Sequence, residues 1–130
     1  MKIVDDFLVL LADDDAEDRD LFSSILKKIS KDIAVEQVEN GSSLMHFLEN
    51  TDHLPDLLFL DLNMPDMDGF ECLKRIKNNE YLKDIPIAIF TTSNYYKDIK
   101  RTYQSGGDFY IQKPDNYNDL YQVFKNQLMR

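Results

Sequence analysis

Three runs of this chain, Phe7–Ala12, Leu57–Leu60 and Ile87–Phe90, are apolar at every position. A strand with one wet face alternates. One that is apolar throughout must be covered on both faces, which is the situation of a parallel sheet between two helical layers. The stretches between the runs have helical spacing. Asp15–Ser30 places Leu21, Phe22, Ile25, Leu26 and Ile29 on one face, Ser43–Asn50 places Leu44, Phe47 and Leu48, and Asp68–Asn78 places Phe70, Leu73 and Ile76. Asp68 followed by Glu71 has capping-box spacing, and Cys72 on that helix reads as a half-buried small apolar group. A fourth helix, Tyr95–Ser105, has only Ile99 and Tyr103 as anchors and ends at Gly106, which suits a left-handed cap. A fifth, Asn116–Met129, carries the stripe Leu120, Val123, Phe124 and Leu128. Ala34–Val38 and Phe109–Ile111 complete five strands alternating with five helices, and such alternation implies crossover connections and a parallel α/β sheet.

At 130 residues with no linker stretch, residues 1–130 are expected to form one domain with no output module beside it. The formal charge of −9 opposes a phosphate backbone, so nucleic acid is not an expected partner, whereas a divalent cation or a basic protein face is. The single cysteine excludes an internal disulfide and a cysteine zinc cluster and fits a reducing cytoplasm. The longest apolar run is far too short to span a bilayer, and the acidic start is unlike a secretory signal, so no membrane association is expected.

Polar residues gather where the apolar runs stop. The first run hands over to Asp13, Asp14 and Asp15, the third strand to Asp61, the fourth to Thr91, Thr92 and Ser93, and the fifth to Gln112, Lys113 and Pro114. In an open parallel sheet these ends share one edge, where ligands bind. If the first and third strands are neighbours, Asp13, Asp14 and Asp61 converge. Such carboxylates repel, and a hard divalent cation such as Mg²⁺ relieves the repulsion while leaving room for a phosphoryl oxygen. Lys113 and the Thr91 hydroxyl are suited to phosphoryl oxygens, and a carboxylate such as Asp61 can be the nucleophile. Each residue also has a plainer account. Acidic residues after a strand often cap helices, and Asp15 reads as an N-cap. Asp66 and Asp68 read as turn residues. His46 and His53 have no metal-binding pattern around them.

The segments Leu8–Asp15 (LVLLADDD), Leu60–Gly69 (LDLNMPDMDG), Pro86–Thr91 (PIAIFT) and Gln112–Pro114 (QKP) together resemble the CheY-like receiver domain of response regulators over nearly the whole length. The resemblance implies a flavodoxin-like, doubly wound sheet of strand order 2-1-3-4-5 with five helices. It implies that Asp61 accepts a phosphoryl group from a histidine kinase or a histidine phosphotransfer protein. Asp14 and Asp61 would ligate Mg²⁺ directly, Asn63 would add its backbone carbonyl, and Asp13 would act through water. Thr91 and Lys113 would bind phosphoryl oxygens, and the Lys113–Pro114 bond would be cis.

Tyr110 falls at the family's switch aromatic. As Thr91 moves toward the phosphoryl group, Tyr110 would fill the vacated space from the surface. The readout face to an unidentified downstream protein, or to a second copy in a phosphorylation-dependent homodimer, would lie near Tyr95, Tyr96, Lys97, Tyr110 and Tyr121. Ordinary packing is an equal account of Tyr95, Tyr96 and Tyr121. Thr92, Gly107 and Asp108 depart from the commonest pattern: Thr92 would narrow access to Asp61, while Gly107 and Asp108 bear on the switch. On this reading the chain is a phosphorylation-controlled signalling switch, not an enzyme acting on other substrates. Two alternatives stand beside it. One is a haloacid-dehalogenase-type phosphatase using Asp13-x-Asp15; the other is a pseudo-receiver that binds partners without phosphorylation.

Overall fold

The computed structural model describes residues 7–93 and 95–113, together with residues 118, 121, 122 and 125. Five parallel strands form one sheet in the order β2-β1-β3-β4-β5: β1 Phe7–Ala12, β2 Ile33–Val38, β3 Leu57–Leu60, β4 Ile87–Thr91 and β5 Phe109–Gln112. The helices delimited among the described residues are α1 Ala16–Ile29, α2 Gly41–Asn50, α3 Gly69–Lys77 and α4 Tyr96–Gln104. Of the expected fifth helix, residues 118, 121, 122 and 125 are helical; the remainder, Pro114 and the expected cis bond before it lie outside the described residues.

Apart from Phe7, which is exposed, the all-apolar runs are buried on both faces, since successive side chains point to opposite sides and both sides are covered. Leu10, Leu58, Leu60, Ile87 and Ile89 pack with Leu44 and Leu48 of α2 and Leu73 and Ile76 of α3. Val9, Leu11, Phe59, Ala88 and Phe90 pack with Phe22, Ile25 and Leu26 of α1. Full burial of each such side chain contributes about 1.5–3 kcal/mol, so β1, β3 and β4 are the strongly determined centre. The edge strands β2 and β5 hold only Ile33 and Ile111 as buried residues.

The caps come from near and far. Asp15 takes the amides of Glu17 and Asp18, as its position predicts. Asp68 caps α3 through the Glu71 amide, but the Glu71 carboxylate pairs with Arg75 at 3.0 Å. Gly106 follows α4 with φ of +97°, and the Gly107 amide closes on the Thr102 carbonyl at 2.9 Å, a Schellman-type stop. Asp66 is more than a turn residue. Its two oxygens accept the Gly41 and Ser42 amides at 2.9 and 3.0 Å, capping α2 from the β3–α3 loop. At the opposite end of the sheet, Asp56 accepts the Leu8 amide and Asp108 the Ile87 amide, both at 2.8 Å, and Lys77 Nζ lies 3.7 Å from Asp108. Asp108 is therefore a strand-start cap. Gly107 is required by close packing, since a Cβ there would come within 2.6 Å of Thr102 Cγ2.

The Ser42 hydroxyl and the Ser42 and Gly41 amides hold the Asp66 carboxyl below its ordinary value. A depressed carboxyl stabilises the fold above its unfolded-state pKa, and that contribution disappears as pH falls through the folded one. Asp66→Ala is expected to lower the thermal midpoint at neutral pH, with the difference from the parent closing in acid. Melting curves across pH check this; a constant difference would count against the cap.

Three expectations need correction. Cys72 is completely buried at 0 % exposure, not half-buried, and burial pushes its thiol up to about 12. Tyr103 is 52 % exposed and does not anchor α4; the helix is held by Thr102, fully buried, and by Arg101 stacked 4.0 Å over the Phe70 ring. Tyr95 and Tyr96 are 73 % and 74 % exposed, so packing does not account for them, whereas Tyr121 is partly buried against the core.

Candidate functional site

Strand register builds the site. Ala12 is level with Leu60, so the next residues, Asp13 and Asp61, leave adjacent strands side by side, and the Asp61 amide donates to the Ala12 carbonyl at 3.0 Å. Leu60 is level with Ile89, which brings Thr91 to the same edge one residue further on. Thr91 is level with Gln112, and the Lys113 amide donates to the Thr91 carbonyl at 2.7 Å. Residues 13, 61, 91 and 113 are thus brought together because four parallel strands end there.

One carboxylate oxygen from each of Asp13, Asp14 and Asp61 lies within 4.8 Å of the others. Asp13 and Asp61 are buried and Asp14 is exposed. Both Asp13 oxygens are engaged: Oδ1 accepts the Asp15 amide at 3.0 Å and Oδ2 accepts Lys113 Nζ at 2.7 Å. Asp61 Oδ1 accepts the Asn63 amide at 3.2 Å, and its Oδ2 lies 3.3 Å from Lys113 Nζ. Asn63, an exposed residue, therefore reaches Asp61 through its N–H. Lys113 Nζ also lies 3.4 Å from Asp18 Oδ2 and 5.5 and 5.7 Å from the Phe22 and Phe90 ring centroids. Those rings pack edge to face, 4.7 Å apart, and form the apolar floor beneath the ammonium.

Three carboxylates thus surround one ammonium, and a fourth, Asp14, converges on two of them. Burial pushes the Asp61 carboxyl above its ordinary value, with the Asp13 charge adding to the rise and the Lys113 charge and the Asn63 N–H opposing it. Burial alone would pull Lys113 down, but its hydrogen bond to Asp13 and the charges of Asp61, Asp13 and Asp18 outweigh this and hold the ammonium above its ordinary value. A hard, oxygen-ligated divalent cation fits this excess of converging carboxylates.

The sequence reading missed Asp18. Its role at the site is visible only once residue 113 has been brought 95 positions back to it. Asp15, by contrast, is exposed and spends one oxygen on two backbone amides.

Thr91 is fully buried, and its hydroxyl faces the Ser93 amide at 3.4 Å. Tyr110, expected on the surface, has its ring half-buried against the core, and its hydroxyl donates to the Ser93 carbonyl at 2.6 Å. Burial pushes that phenol up, with the Ser93 side chain opposing the rise and the Asp98 charge adding to it. The Tyr110 amide donates to the Tyr103 hydroxyl at 3.1 Å, which accounts for the exposed position of Tyr103.

Residues 9–125 match the response regulator receiver domain. The chain belongs to that family. It is 33 % identical over 121 residues to the response regulator Rcp1 of Synechocystis, covering 89 % of this chain and 82 % of Rcp1. It is 34 % identical to the two-component response regulator ARR17 of Arabidopsis thaliana, covering 86 % and 78 %. Among solved structures, the phosphorylated cyanobacterial phytochrome response regulator RcpA superposes with a TM-score of 0.86 at 32 % identity, covering 92 % of this chain and 89 % of RcpA. The Mn²⁺-bound form of Rcp1 superposes with a TM-score of 0.83 at 33 % identity, covering the same shares. The expected doubly wound fold and strand order hold for this receiver domain, and its acidic cluster fits a divalent cation. No helix among the described residues is long and apolar enough to cross a membrane.

Proposed function

We propose that this receiver domain is a phosphoacceptor switch in which Asp61 takes a phosphoryl group from a phosphohistidine of a kinase or phosphotransfer protein. The observation that carries the reading is the meeting of Asp13, Asp14 and Asp61 within 4.8 Å, with Lys113 beside two of them. An Asp61 carboxylate oxygen attacks phosphorus. The phosphorus–nitrogen bond breaks, and the imidazole keeps the electron pair and takes a proton. Asp14 and Asp61, with the Asn63 carbonyl, would hold Mg²⁺. Asp13, whose oxygens already serve Asp15 and Lys113, would act through water. The cation, when bound, neutralises charge on the transferring group. Lys113 and Thr91 would bind phosphoryl oxygens. Movement of Thr91 would then be felt at Ser93 in the β4–α4 connection and, through the Tyr110 hydroxyl bonded to the Ser93 carbonyl, at β5, and would alter the face bearing Tyr95, Tyr96 and Lys97.

The phosphatase alternative is disfavoured because Asp15, its general acid/base, is occupied as a helix cap. On the reading proposed here the protein promotes only its own phosphorylation and dephosphorylation, in the cytoplasm. Thr92, exposed at the site's rim, would narrow access to Asp61 and change the lifetime of the phosphoryl bond.

Acetyl phosphate with Mg²⁺ is expected to add one acid-stable, base-labile phosphoryl group, detected by intact mass. Asp61→Asn should abolish the addition without unfolding the protein. Burial raises the folded-state pKa of Asp61, so its ionised form costs stability above the ordinary carboxyl range and the cost fades as pH falls. The asparagine variant should therefore melt no lower than the parent at neutral pH. Addition that survives in Asp61→Asn would refute the assignment.

A further inference from the structure

Lys113 has three N–H donors, and three carboxylates stand around it: Asp13 at 2.7 Å, Asp61 at 3.3 Å and Asp18 at 3.4 Å. A phosphoryl group built on Asp61 needs at least one of those donors, so one contact must yield. The three are not equal. The Asp13 side chain is 4 % exposed and that of Asp61 is 8 % exposed, whereas that of Asp18 is 38 % exposed. Water compensates a released carboxylate in proportion to its access, so Asp18 is the contact that costs least to break. It also belongs to the first turn of α1, where the helix N-terminus and solvent both accept a negative charge once the lysine has turned away.

We propose that Asp18 is the exchangeable partner of Lys113, the contact released when an anionic group is built on Asp61, and so a positioning residue that restrains phosphorylation. The proposal rests on the phosphoacceptor reading of Asp61. Asp18 is outside the group of carboxylates that converges for a cation. Its effect is therefore on the lysine and on the approaching anion. Its charge holds the ammonium back and repels an anionic phosphodonor at the same place. Both effects act in one direction, toward slower transfer.

Asp20 supplies the control, since it is exposed on the same helix and carries the same charge. The parent, Asp18→Asn and Asp20→Asn are compared in Mg²⁺ by the initial rate of phosphoryl addition from acetyl phosphate. In parallel, the Lys113 ammonium is followed by ¹⁵N NMR without a phosphodonor. Removing a partly exposed ion pair is expected to raise the rate about two- to fivefold. Asp18→Asn should show that rise together with a shifted Lys113 signal, and Asp20→Asn should show neither. Equal rates in the two variants, a slower Asp18→Asn, or an unmoved lysine signal would each overturn the proposal. Absence of phosphoryl addition from all three proteins would overturn the Asp61 reading and the rate role together. The lysine signal would still report the Asp18 contact by itself, which separates the two failures.

Discussion

Lys113→Ala is expected to destabilise the protein by about 3 kcal/mol at neutral pH, because removing one partner of a buried ion pair strands the other. The ammonium side chain is 10 % exposed, and its principal partner, Asp13, is 4 % exposed. Without it, the described contacts of the Asp13 and Asp61 carboxylates include no positive charge, since the Arg19 guanidinium donates to the Asp13 backbone carbonyl at 2.8 Å and not to its carboxylate. Two further results separate this from a simple packing loss. Added Mg²⁺ should restore much of the stability, since a divalent ion replaces the lost charge and binds only the folded site.

The deficit should also depend on pH. Lys113 has a raised folded-state pKa, so its contribution is present below the ordinary lysine value and fades as pH climbs through the raised one. In acid, protonation of Asp61, already favoured by burial, relieves the stranded charge. The gap between parent and variant should thus be widest near neutrality. Urea denaturation at several pH values, with and without Mg²⁺, measures it. A gap independent of both would mean that the packing of the Lys113 side chain matters more than its charge. Labelling from acetyl phosphate should survive in Lys113→Ala, while signalling to a partner weakens.

Gly69→Ala is expected to cost about 2–3 kcal/mol and to impair phosphoryl addition. Glycine to alanine within a helix ordinarily gains up to about 1 kcal/mol, so the expected sign is reversed. The reason is contact with backbone. A Cβ at Gly69 would lie 2.5 Å from the Asp61 carbonyl oxygen and 2.8 Å from Leu62 Cα. These atoms cannot rotate aside as a side chain would. The Gly69 amide also donates to the Leu62 carbonyl at 2.9 Å, so the start of α3 is pressed against the segment that carries the phosphoacceptor. Pushing the two apart moves Asp61 relative to Asp13 and Lys113, and a displacement of about 1 Å suffices to slow a positioned reaction strongly. Chemical denaturation and the rate of phosphoryl addition together check this. A variant as stable as the parent would show that the loop relaxes at little cost.

The local features were legible before any fold was drawn. The all-apolar runs gave β1, β3 and β4, because double burial leaves no other use for six or four consecutive apolar residues. Asp15 could be read as a cap and Gly106 as a helix stop, since caps act over two or three residues. The ends of the apolar runs placed Asp13, Asp14, Asp61, Thr91 and Lys113 at strand ends, the family resemblance implied their roles, and strand register then brought Asp13, Asp61, Thr91 and Lys113 to one edge. What the sequence did not disclose acts over long chain separations. The capping of α2 by Asp66 spans 25 residues, that of β4 by Asp108 spans 21, and the Asp18–Lys113 contact spans 95.

Hydrophobic periodicity is a local property. It sorts residues into inside and outside, and that alone determined a doubly covered parallel sheet with acidic strand ends. Which carboxylate caps an amide, which opposes a lysine and which stays free to meet a cation depends on distances of a few ångströms between segments far apart in the chain. Hydrogen bonds and ion pairs vary steeply over such distances. Only the packed sheet could bring Asp13 and Asp18 to the same lysine and send Asp66 to the start of α2.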